Sequence, residues 1–482
     1  MSSPLIEIDS PEAIETGIVK SAHPLKCPLW WDGENVLFSE GCVRKSPGYL
    51  SIFDKPGSKA IRGFGVNVDS GVQQLFFGDV DKLYKYNTAT VTTEGTGFTG
   101  YANSSVNNPA SRWSLESWGI WMVATNFKDA PQIYKPSLGF DPIGGGAPSV
   151  AKILIRRGPF MLAFNTDLGP TYFEWCDLDD VEDWVSGAAG NLNIRDLDSE
   201  ILAAVRLGPQ IAAYTENQMC VVNYLGDPLY FGSNPALEGI GTVGIDAVVS
   251  RGRRNYGFSR QGIWVTDGSD YEYIDPPEIR RWLQDNVNWA EAPKINGFLN
   301  EVESLIEWAI PTGSNVEPNK TVCYNYKNDS WTFRSYGFTA GQRKLIFSYP
   351  IIGMSTGHVH FTQIGVDANG SALVAWVQTR PMFGTDKERD KYVDELKLLI
   401  HRLAGTGVDV QLGWCDELTA TNNNITWETA QEVLADRNAT FWRFERRYIS
   451  LKVTTSAVGD DFALSGFTIL GNMTGMRNNP NG

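Results

Sequence analysis

A short hairpin pattern recurs along this chain at intervals of roughly 40–55 residues, a period that indicates structural repeats. Each copy has an apolar strand, a tight polar turn and a second apolar strand; the clearest copies are WMVATNFKDAPQIYK (121–135), FMLAFNTDLGPTYFEWC (160–176), IAAYTENQMCVVNYLG (211–226), NYGFSRQGIWVTDG (255–268) and KTVCYNYKNDSWTF (320–333). Asn126, Asn165 and Asp329 can bend the backbone at three of the turns, and the β-branched and aromatic residues beside the turns can pair across them. A repeat of this kind is typical of β-propeller blades.

The hairpins fit into about seven repeats. These repeats begin near Ile61, Arg112, Ala151, Leu202, Val243, Ile295 and Phe347. The chain contains 48 Gly, 24 Pro and 12% aromatic residues, and such a composition suits many short strands joined by frequent turns. We therefore predict a mainly β fold in which residues 28–379 form a β-propeller of about seven blades.

One segment interrupts the repeats with a helical pattern. In DPPEIRRWLQDNV (275–287), Asp275 is expected to be the N-cap, and Ile279, Trp282 and Leu283 fall on one face. This helical insertion can either pack against the blades or dock a neighbouring protein. Trp282 is therefore a candidate partner contact.

The two ends of the sequence differ from the repeats. Residues 1–27 are predicted to form an N-terminal arm, residues 380–475 a β-sandwich-like platform domain, and residues 476–482 a tail without a core-forming pattern. Within the platform, DKYVDELKLLIHRL (390–403) is compatible with a helix or a strand, because its apolar residues also recur at helical spacing.

The charge balance argues against tight nucleic-acid binding. The chain has 41 basic and 56 acidic residues and a formal net charge of −15, whereas neutralising phosphates needs clustered Lys and Arg. An acidic surface repels DNA, and this would be useful in a conduit through which DNA slides. The same charge would also simply keep the protein dispersed in solution.

The cysteines and the N-terminus indicate synthesis in a cytosol. The six cysteines are scattered and include no CxxC pair, as expected for buried, reduced thiols. The segment MSSPLIEIDSPEAIETG has acids where a signal peptide would have a basic and then an apolar region. No apolar run approaches the length of a membrane span, so we expect no export signal and no stable membrane association.

No motif predicts a catalytic, cofactor or metal site. GIGTVG (239–244) matches a dinucleotide-binding fingerprint, but the sequence around it predicts strands and turns, whereas that fingerprint works only between a strand and a helix. His358 and His360 would share one face of a strand and provide half a metal site, without Cys or carboxylate ligands nearby in sequence. No GxSxG motif is present.

An acidic cluster, CDLDDVEDW (176–184), is the densest group of carboxylates. It could supply the paired carboxylates of a glycosidase or a calcium site, although it lacks the alternating pattern of a calcium loop. Acidic loops are also common at the mouth of a propeller. If the chain lines a channel, the candidate lumen-facing acids are Asp177, Asp179, Asp180, Glu182 and Asp183.

Basic residues group in SRGRRNYG (250–257) and again around FERRYIS (444–450). Arg251, Arg253 and Arg254 are candidate contacts with an acidic partner or a phosphate. The alternative is that they form the solvated edge of a hairpin.

Three segments carry a resemblance to a known family. The first is WWDGENVLFSEGCVRKSPGYLSIF (30–53), the second runs from AAYTENQMCVVNYLG to QGIWVTDG (212–268), and the third is FERRYISLKVTTSAVGDDFALSGFTILGNMTGMR (444–477). In order and content they resemble the tail nozzle family of short-tailed bacteriophages (podoviruses), also named packaged-DNA stabilisation or tubular tail B proteins. None of the three is a catalytic signature.

The resemblance implies a structural protein of the virion tail, made in the cytoplasm of the host bacterium. Its fold would be a propeller with an added β-platform, and its assembly a hexameric ring below the portal and adaptor rings. The ring would extend the DNA channel, help to retain packaged DNA and guide its ejection without sequence specificity. Its other partners would be tail fibre, spike or needle proteins.

Two other functions remain open. One is a propeller glycosidase or esterase acting on bacterial surface glycans, for which only residues 177–183 offer convergent acids. The other is a lectin-like binding protein that recognises sugars through exposed Trp side chains, with Trp30, Trp31 and Trp118 as candidates. The tail nozzle hypothesis predicts no enzymatic activity and no cofactor.

Overall fold

The computed structural model describes residues 5–9, 14–20, 22–23, 26–54, 57–99, 112–384, 389–418, 425–434 and 436–476. Most of these residues lie in antiparallel strands, which form nine sheets. Seven of the sheets are blades of a propeller, and the other two stack as a sandwich beside it. The chain is therefore mainly β, with the propeller and the additional sandwich that the repeats and the C-terminal pattern predict.

Each blade consists of four consecutive antiparallel strands, with the exceptions noted below. We number the blades in chain order. The strands of blade 1 are Gly63–Asp69, Val72–Gly78, Leu83–Tyr86 and Val91–Gly95; of blade 2, Ser114–Trp118, Trp121–Thr125, Gln132–Lys135 and Gly139–Pro142; of blade 3, Ala151–Arg157, Phe160–Thr166, Gly169–Trp175 and Gly190–Asn193; and of blade 4, Ala203–Leu207, Gln210–Tyr214, Gln218–Gly226 and Tyr230–Ser233, with Leu237–Glu238 added.

The remaining blades follow the same order, and one of them is completed from a distant part of the chain. The strands of blade 5 are Val248–Arg251, Arg254–Phe258, Ile263–Thr266 and Tyr271–Tyr273; of blade 6, Asn296–Asn300, Leu305–Ile310, Lys320–Asn325 and Trp331–Arg334; and of blade 7, Ala340–Gln342, Ile351–Gly353, His358–Thr362 and Tyr49–Asp54. The outer strand of blade 7 thus precedes blade 1 in sequence, and its pairing closes the ring.

The predicted hairpins are all present at the predicted places. Six of the seven repeats also begin within about five residues of the predicted start; the seventh begins at Ala340, before the expected Phe347. The second strand of blade 3, Phe160–Thr166, is buried along its whole length, because it lies in the middle of a sheet that is covered on both faces. Asn165 and Asp329 have positive φ values of 54° and 58°, as turn residues often do.

The sandwich consists of two six-stranded sheets. One contains Leu5–Asp9, Val36–Ser39, Cys42–Lys45, Asp461–Met476, Arg389–Ala404 and Ala439–Arg446; the other contains Trp30–Glu34, Ala375–Thr379, Tyr448–Thr455, Val408–Cys415, Thr426–Trp427 and Gln431–Val433. The segment that was ambiguous between helix and strand is a strand of 16 residues.

The predicted domain boundaries at 28 and 379 are wrong. Strands between residues 30 and 45, and Ala375–Thr379, belong to the sandwich rather than to the propeller. Part of the predicted arm also belongs to it, because Leu5–Asp9 pairs with the long strand Asp461–Met476. The sandwich therefore cannot form from residues 380–475 alone; of the predicted tail, residues 477–482 lie outside the described residues.

The helical insertion packs against the chain itself. The helix spans Pro277–Asn286 and buries Ile279 and Leu283. Its N-cap is Pro276, without a side-chain cap, so the prediction that Asp275 caps it is wrong. The buried carboxylate of Asp275 instead accepts hydrogen bonds from Arg280 at 2.8 and 3.0 Å.

The sandwich and blade 6 share one hydrophobic core. Asn35 connects them, although its backbone has a positive φ of 58°. Its amide nitrogen donates to Ser335 Oγ (2.7 Å) and to the Val374 carbonyl (2.6 Å), and its amide oxygen accepts from the Ser335 backbone N–H (3.0 Å). Its own backbone N–H donates to the Phe333 carbonyl at 2.8 Å.

Replacing Asn35 with Ala should destabilise the whole fold. The substitution removes the three part-buried hydrogen bonds of the Asn35 side chain to Ser335 and Val374 and adds strain at a positive φ, a cost of about 2–4 kcal/mol. The free energy of unfolding in urea measures it. Asn369→Ala is the matched control, since Asn369 also has a positive φ (49°) but is exposed. Equal losses in the two variants would contradict the proposed connection.

Candidate functional site: the propeller channel and the charged loops

The innermost strands of all seven blades line a central cavity of about 320 Å³. Its wall includes Arg112, Glu116, Arg206, Asp246 and Arg343, so charges of both signs face it. A cavity of this volume can hold water and small solutes.

One end of the cavity is closed by an arginine that reaches across it. Arg112 stands just before blade 2, and its Nε pairs with the carboxylate of Asp246, just before blade 5. Its Nη2 donates to the carbonyl of Thr339, just before blade 7, at 2.9 Å. Three blades that are not neighbours in sequence are therefore joined at this mouth.

A second ion pair lies at the same mouth. Arg62, just before blade 1, makes a bidentate pair with Glu317 of blade 6 at 2.6 and 3.0 Å. Burial acts to raise the pKa of Glu317, but hydrogen bonding and charge from Arg62 outweigh it and hold that pKa below its ordinary value. Lys294 adds a weaker contact to Glu317 at 3.8 Å.

At the other mouth the charges are more exposed. Arg206 Nη2 pairs with Glu116 at 2.5 Å and also donates to the Arg156 carbonyl. Burial raises the pKa of Glu116, with Arg206 acting in the opposite direction. A DNA duplex, whose major groove alone is about 12 Å wide, is too large for a central cavity of about 320 Å³ that ion pairs cross at both mouths.

The five predicted lumen acids lie together in one loop, between the third and fourth strands of blade 3. This is the outer rim of the propeller, and none of the five lines the central cavity. Asp177 accepts from the Ala188 backbone N–H at 2.6 Å, and Glu182 pairs with Lys135 of blade 2 at 2.7 Å. The cluster is thus brought together as predicted, on a surface remote from the channel of its own propeller.

Two of these acids also shape the loop. Asp183 accepts from the backbone N–H groups of Val185 and Ser186, both at 3.0 Å, and hydrogen bonding to Ser186 lowers its pKa. Asp180 accepts from the backbone N–H of Glu182 at 3.0 Å. Asp179 has a positive φ of 57° and is exposed. Their position in a ring lumen stays a prediction.

The predicted basic contacts form the exposed turn between the first two strands of blade 5. The guanidinium of Arg251 stacks over the ring of Tyr326, 3.9 Å from its centroid. Arg254 faces the carboxylate-bearing residues Asp267, Asp270 and Glu272 across a cavity of about 170 Å³, whereas Arg253 lies beside Gly208 of blade 4. Neighbouring acids therefore offset part of the charge of this turn.

Trp282 is half-buried within the chain. Its ring lies 4.9 Å from that of Phe333 in an edge-on arrangement, and Lys20 Nζ stands 5.3 Å from its centroid. Only the remaining exposed part of the indole can meet another protein, and its role as a partner contact stays a prediction.

The two motifs with cofactor or metal chemistry lie in different surroundings. The glycine-rich segment 239–244 precedes a strand, and a Cβ on Gly241 would come within 2.0 Å of the Glu216 carbonyl, so close backbone approach accounts for this glycine. The rings of His358 and His360 are 6.0 Å apart. Within the described ranges, no three His, Cys, Asp or Glu side chains are placed to hold a metal.

The cysteines are free thiols in buried positions. Burial raises the pKa of Cys27 and Cys176 to about 12, and of Cys220 and Cys415 to about 11. Such thiols are poor nucleophiles at neutral pH.

Sequence reasoning missed the ion pairs at the cavity mouth. A signal was present, because Arg62 and Arg112 stand one and two residues before the inner strand in two consecutive repeats. Their partners could not be found in this way, since Asp246 lies 134 residues from Arg112 and Glu317 lies 255 residues from Arg62.

Replacing Arg112 with Ala should lower the free energy of unfolding by about 2–4 kcal/mol, because it leaves a partly buried carboxylate and a buried carbonyl without their partner. Arg206→Ala, which removes a more exposed arginine from the other mouth, should cost less than about 1 kcal/mol. Urea unfolding of both variants compares them. A smaller effect at Arg112 than at Arg206 would mean that the cross-channel pair does not hold the blades together.

The Arg62–Glu317 pair should make stability sensitive to acid. Because the folded-state pKa of Glu317 is depressed, its contribution is present above the unfolded-state pKa of about 4.5 and is lost as the pH falls through the folded value. Between pH 5 and pH 3, the Glu317→Gln variant should therefore lose less unfolding free energy than the wild-type protein. Urea titrations at each pH measure this difference, and parallel curves would contradict it.

The comparisons with known proteins show a similarity between this chain and other proteins in fold alone. No protein-family model and no curated protein matches the chain. Among solved structures, the β-propeller domain of Cps50 (Swd1) from Myceliophteria thermophila is 8% identical, with a TM-score of 0.42, over 66% of this chain and 99% of that domain. No helix in the described part of the chain is long and apolar enough to cross a membrane.

Two extracellular domains from B. thetaiotaomicron are also similar. That of a putative hybrid two-component system is 10% identical (TM-score 0.44, 65% of this chain), and that of a putative one-component system is 9% identical (TM-score 0.43, 79% of this chain). The chain spans 39% and 47% of the length of these two proteins. The chain is mainly β and contains a β-propeller; its family is not identified by these comparisons.

Proposed function

We propose that this protein is a structural component of a short-tailed bacteriophage virion that forms the tail nozzle ring below the portal and adaptor. The ring extends the DNA channel, helps to retain packaged DNA and guides its ejection. The protein has no catalytic role in this proposal. It is made in the host cytoplasm and becomes part of the virion tail.

The observation that carries the proposal is the way the three family-like segments fold. The segments around residues 30–53 and 444–477, more than 390 residues apart in sequence, meet in one sandwich, where Val43 and Arg44 pair with Leu464 and Ala463. The central segment forms most of blades 4 and 5. The resemblance therefore covers a packed unit rather than scattered stretches.

The closed mouth of the propeller restricts where DNA would pass. Since Arg112 and Arg62 close one mouth of the central cavity, a passage for DNA has to lie between copies of the chain and not within one. A net charge of −15 per copy would keep such a passage from holding DNA by counterion release. On this proposal the acids between Asp177 and Asp183 are candidates for its wall.

The location is tested by gold-labelled antibody against this chain on virus particles from the source culture. Label at the short tail is the expected result. Particles without label, with the antigen free and accessible in the lysate, would overturn the proposal and leave a glycan-directed enzyme or lectin as the next hypothesis.

The lumen role of the acidic loop is tested by Asp180→Lys. If this carboxylate faces DNA, particles that carry the variant should have complete tails but eject their DNA several-fold more slowly, because a cation in the wall binds phosphate. Single-particle ejection assays measure the rate. Asp285→Lys, the same charge change on the exposed side of the helix, is the control; equal rates for the two variants would remove loop charge from the mechanism.

A further inference from the structure

A group of exposed apolar side chains lies around the acidic loop, at the outer turns of three consecutive blades. We call it the rim patch, and it comprises Leu138 of blade 2, Leu178 and Val185 of blade 3, and Leu225 and Leu229 of blade 4. Each of the five is between 52% and 75% exposed. Several large exposed apolar groups on adjacent loops mark an interaction surface.

The three loops form one continuous surface. Lys135 of blade 2 pairs with Glu182 in the loop of blade 3 at 2.7 Å. Phe160 of blade 3 packs against Tyr224 and Tyr230 of blade 4, with ring centroids 5.9 and 5.8 Å apart. The rim patch is therefore held in a fixed arrangement by contacts between blades.

The charge around the rim patch is negative. Five carboxylates occur between Asp177 and Asp183 without a basic residue among them, and Asp227 follows in the neighbouring loop. Lys135 neutralises only Glu182. A partner that fits this surface has apolar or aromatic side chains together with arginines or lysines.

The sandwich carries a surface of that chemistry. Among the strands that the structure describes, Ala439–Arg446 is the last at one edge of its sheet, and its Phe441 is 70% exposed. Between Arg437 and Arg447 there are four arginines and one carboxylate. Arg443 is exposed on this strand. We call this segment the basic edge.

The rim patch and the basic edge belong to different parts of the molecule, the outer loops of blades 2–4 and one edge of the sandwich. The strand Val36–Ser39, at one edge of that sandwich sheet, contacts the outer strand of blade 6, and the basic edge is the opposite edge of the same sheet. Blade 3 stands three places from blade 6 in a ring of seven. One chain therefore cannot join its own two surfaces, whereas two copies can.

We infer that the rim patch of one copy binds the basic edge of a second copy, in a head-to-tail contact. Such a heterologous contact leaves one free surface of each kind, so that further copies add until the ring closes. The inference rests on the ring assembly of the proposed function and names its interface. It competes with the lumen role of the acids of blade 3, because a carboxylate at this contact does not face DNA, and the Asp180→Lys variant decides between the two roles.

The test uses one variant at each surface of the purified full chain. Val185→Asp introduces a charge at the rim patch, and Phe441→Asp does so at the basic edge; both side chains are exposed, so folding should be unaffected. Each variant alone should need at least a tenfold higher protein concentration to assemble than the wild-type protein, as measured by mass photometry. Leu168→Asp, at an exposed apolar residue of a turn on the opposite face of blade 3, is the control and should assemble like the wild-type protein.

Mixing the two defective variants distinguishes the geometry. The intact basic edge of Val185→Asp can still bind the intact rim patch of Phe441→Asp, so the mixture should give a dimer and nothing larger. Absence of that dimer, or undiminished assembly of either variant, overturns the inference. A wild-type chain that remains monomeric at every concentration tested also overturns it.

Failure of the interface and failure of the function give different results. If the wild-type protein forms rings and the variants assemble equally well, the named surfaces are wrong, but the ring assembly is still supported. If antibody labels no tails, the nozzle function fails whatever the assembly does. The variant Asp180→Lys separates the two roles of the loop: lost assembly, restored by Arg443→Glu, supports the contact, whereas complete rings with slow ejection contradict it.

Discussion

Antiparallel pairing between early and late parts of the sequence holds this fold together. The strand Tyr49–Asp54 completes blade 7 through its pairing with His358–Thr362, and the strands between residues 30 and 45 pair with strands after residue 374. Without the first pairing, blade 7 would lack its outer strand, and without the second, each sheet of the sandwich would lose the strands at one edge. Each open edge would also expose backbone N–H and C=O groups to other chains.

The charged groups inside the protein follow the same principle of joining distant segments. Arg112 links three blades across the cavity, and within blade 6 the fully buried Arg334 pairs with Glu307 at 3.0 Å. That carboxylate also accepts from Asn300 at 2.7 Å. A buried ion pair adds little net stability when it is complete, but its geometry is demanding. The contacts of Arg112 therefore favour one arrangement of the blades over others of similar apolar burial, and the Arg334–Glu307 pair does the same for the strands within blade 6.

The sequence predicted what depends on near neighbours. Hairpins, blade number and the C-terminal sandwich follow from turns and alternation over short stretches, and the acidic loop was found because its five carboxylates are consecutive or nearly so. The cap role of Asp275 was wrong because its carboxylate instead binds Arg280, five residues further along the chain. The domain boundary at 28 was wrong because a pairing partner about 420 residues away leaves no local pattern. The partners of Arg62 and Arg112 could not be predicted for the same reason, since they are also far away in sequence.

The ambiguous segment has a specific explanation. The strand Arg389–Ala404 shifts register against its partner near Val393 and again near Leu399 and Ile400. Each irregularity turns the following side chains to the other face of the sheet, so that buried residues stand three or two apart instead of strictly two. A bulged strand thus imitates the apolar spacing of a helix.

The closure of blade 7 by an early strand determines when the ring can form during synthesis of the chain. As the ribosome makes the chain, Tyr49–Asp54 is complete long before its partner His358–Thr362. The strands near residue 40 likewise cannot pair with their partner until residue 464 has been made. Early blades can form hairpins during synthesis, but neither the ring nor the sandwich can close until nearly the whole sequence is available. Such long-range pairing is slow, and the unpaired early strands need protection from other chains until it is finished.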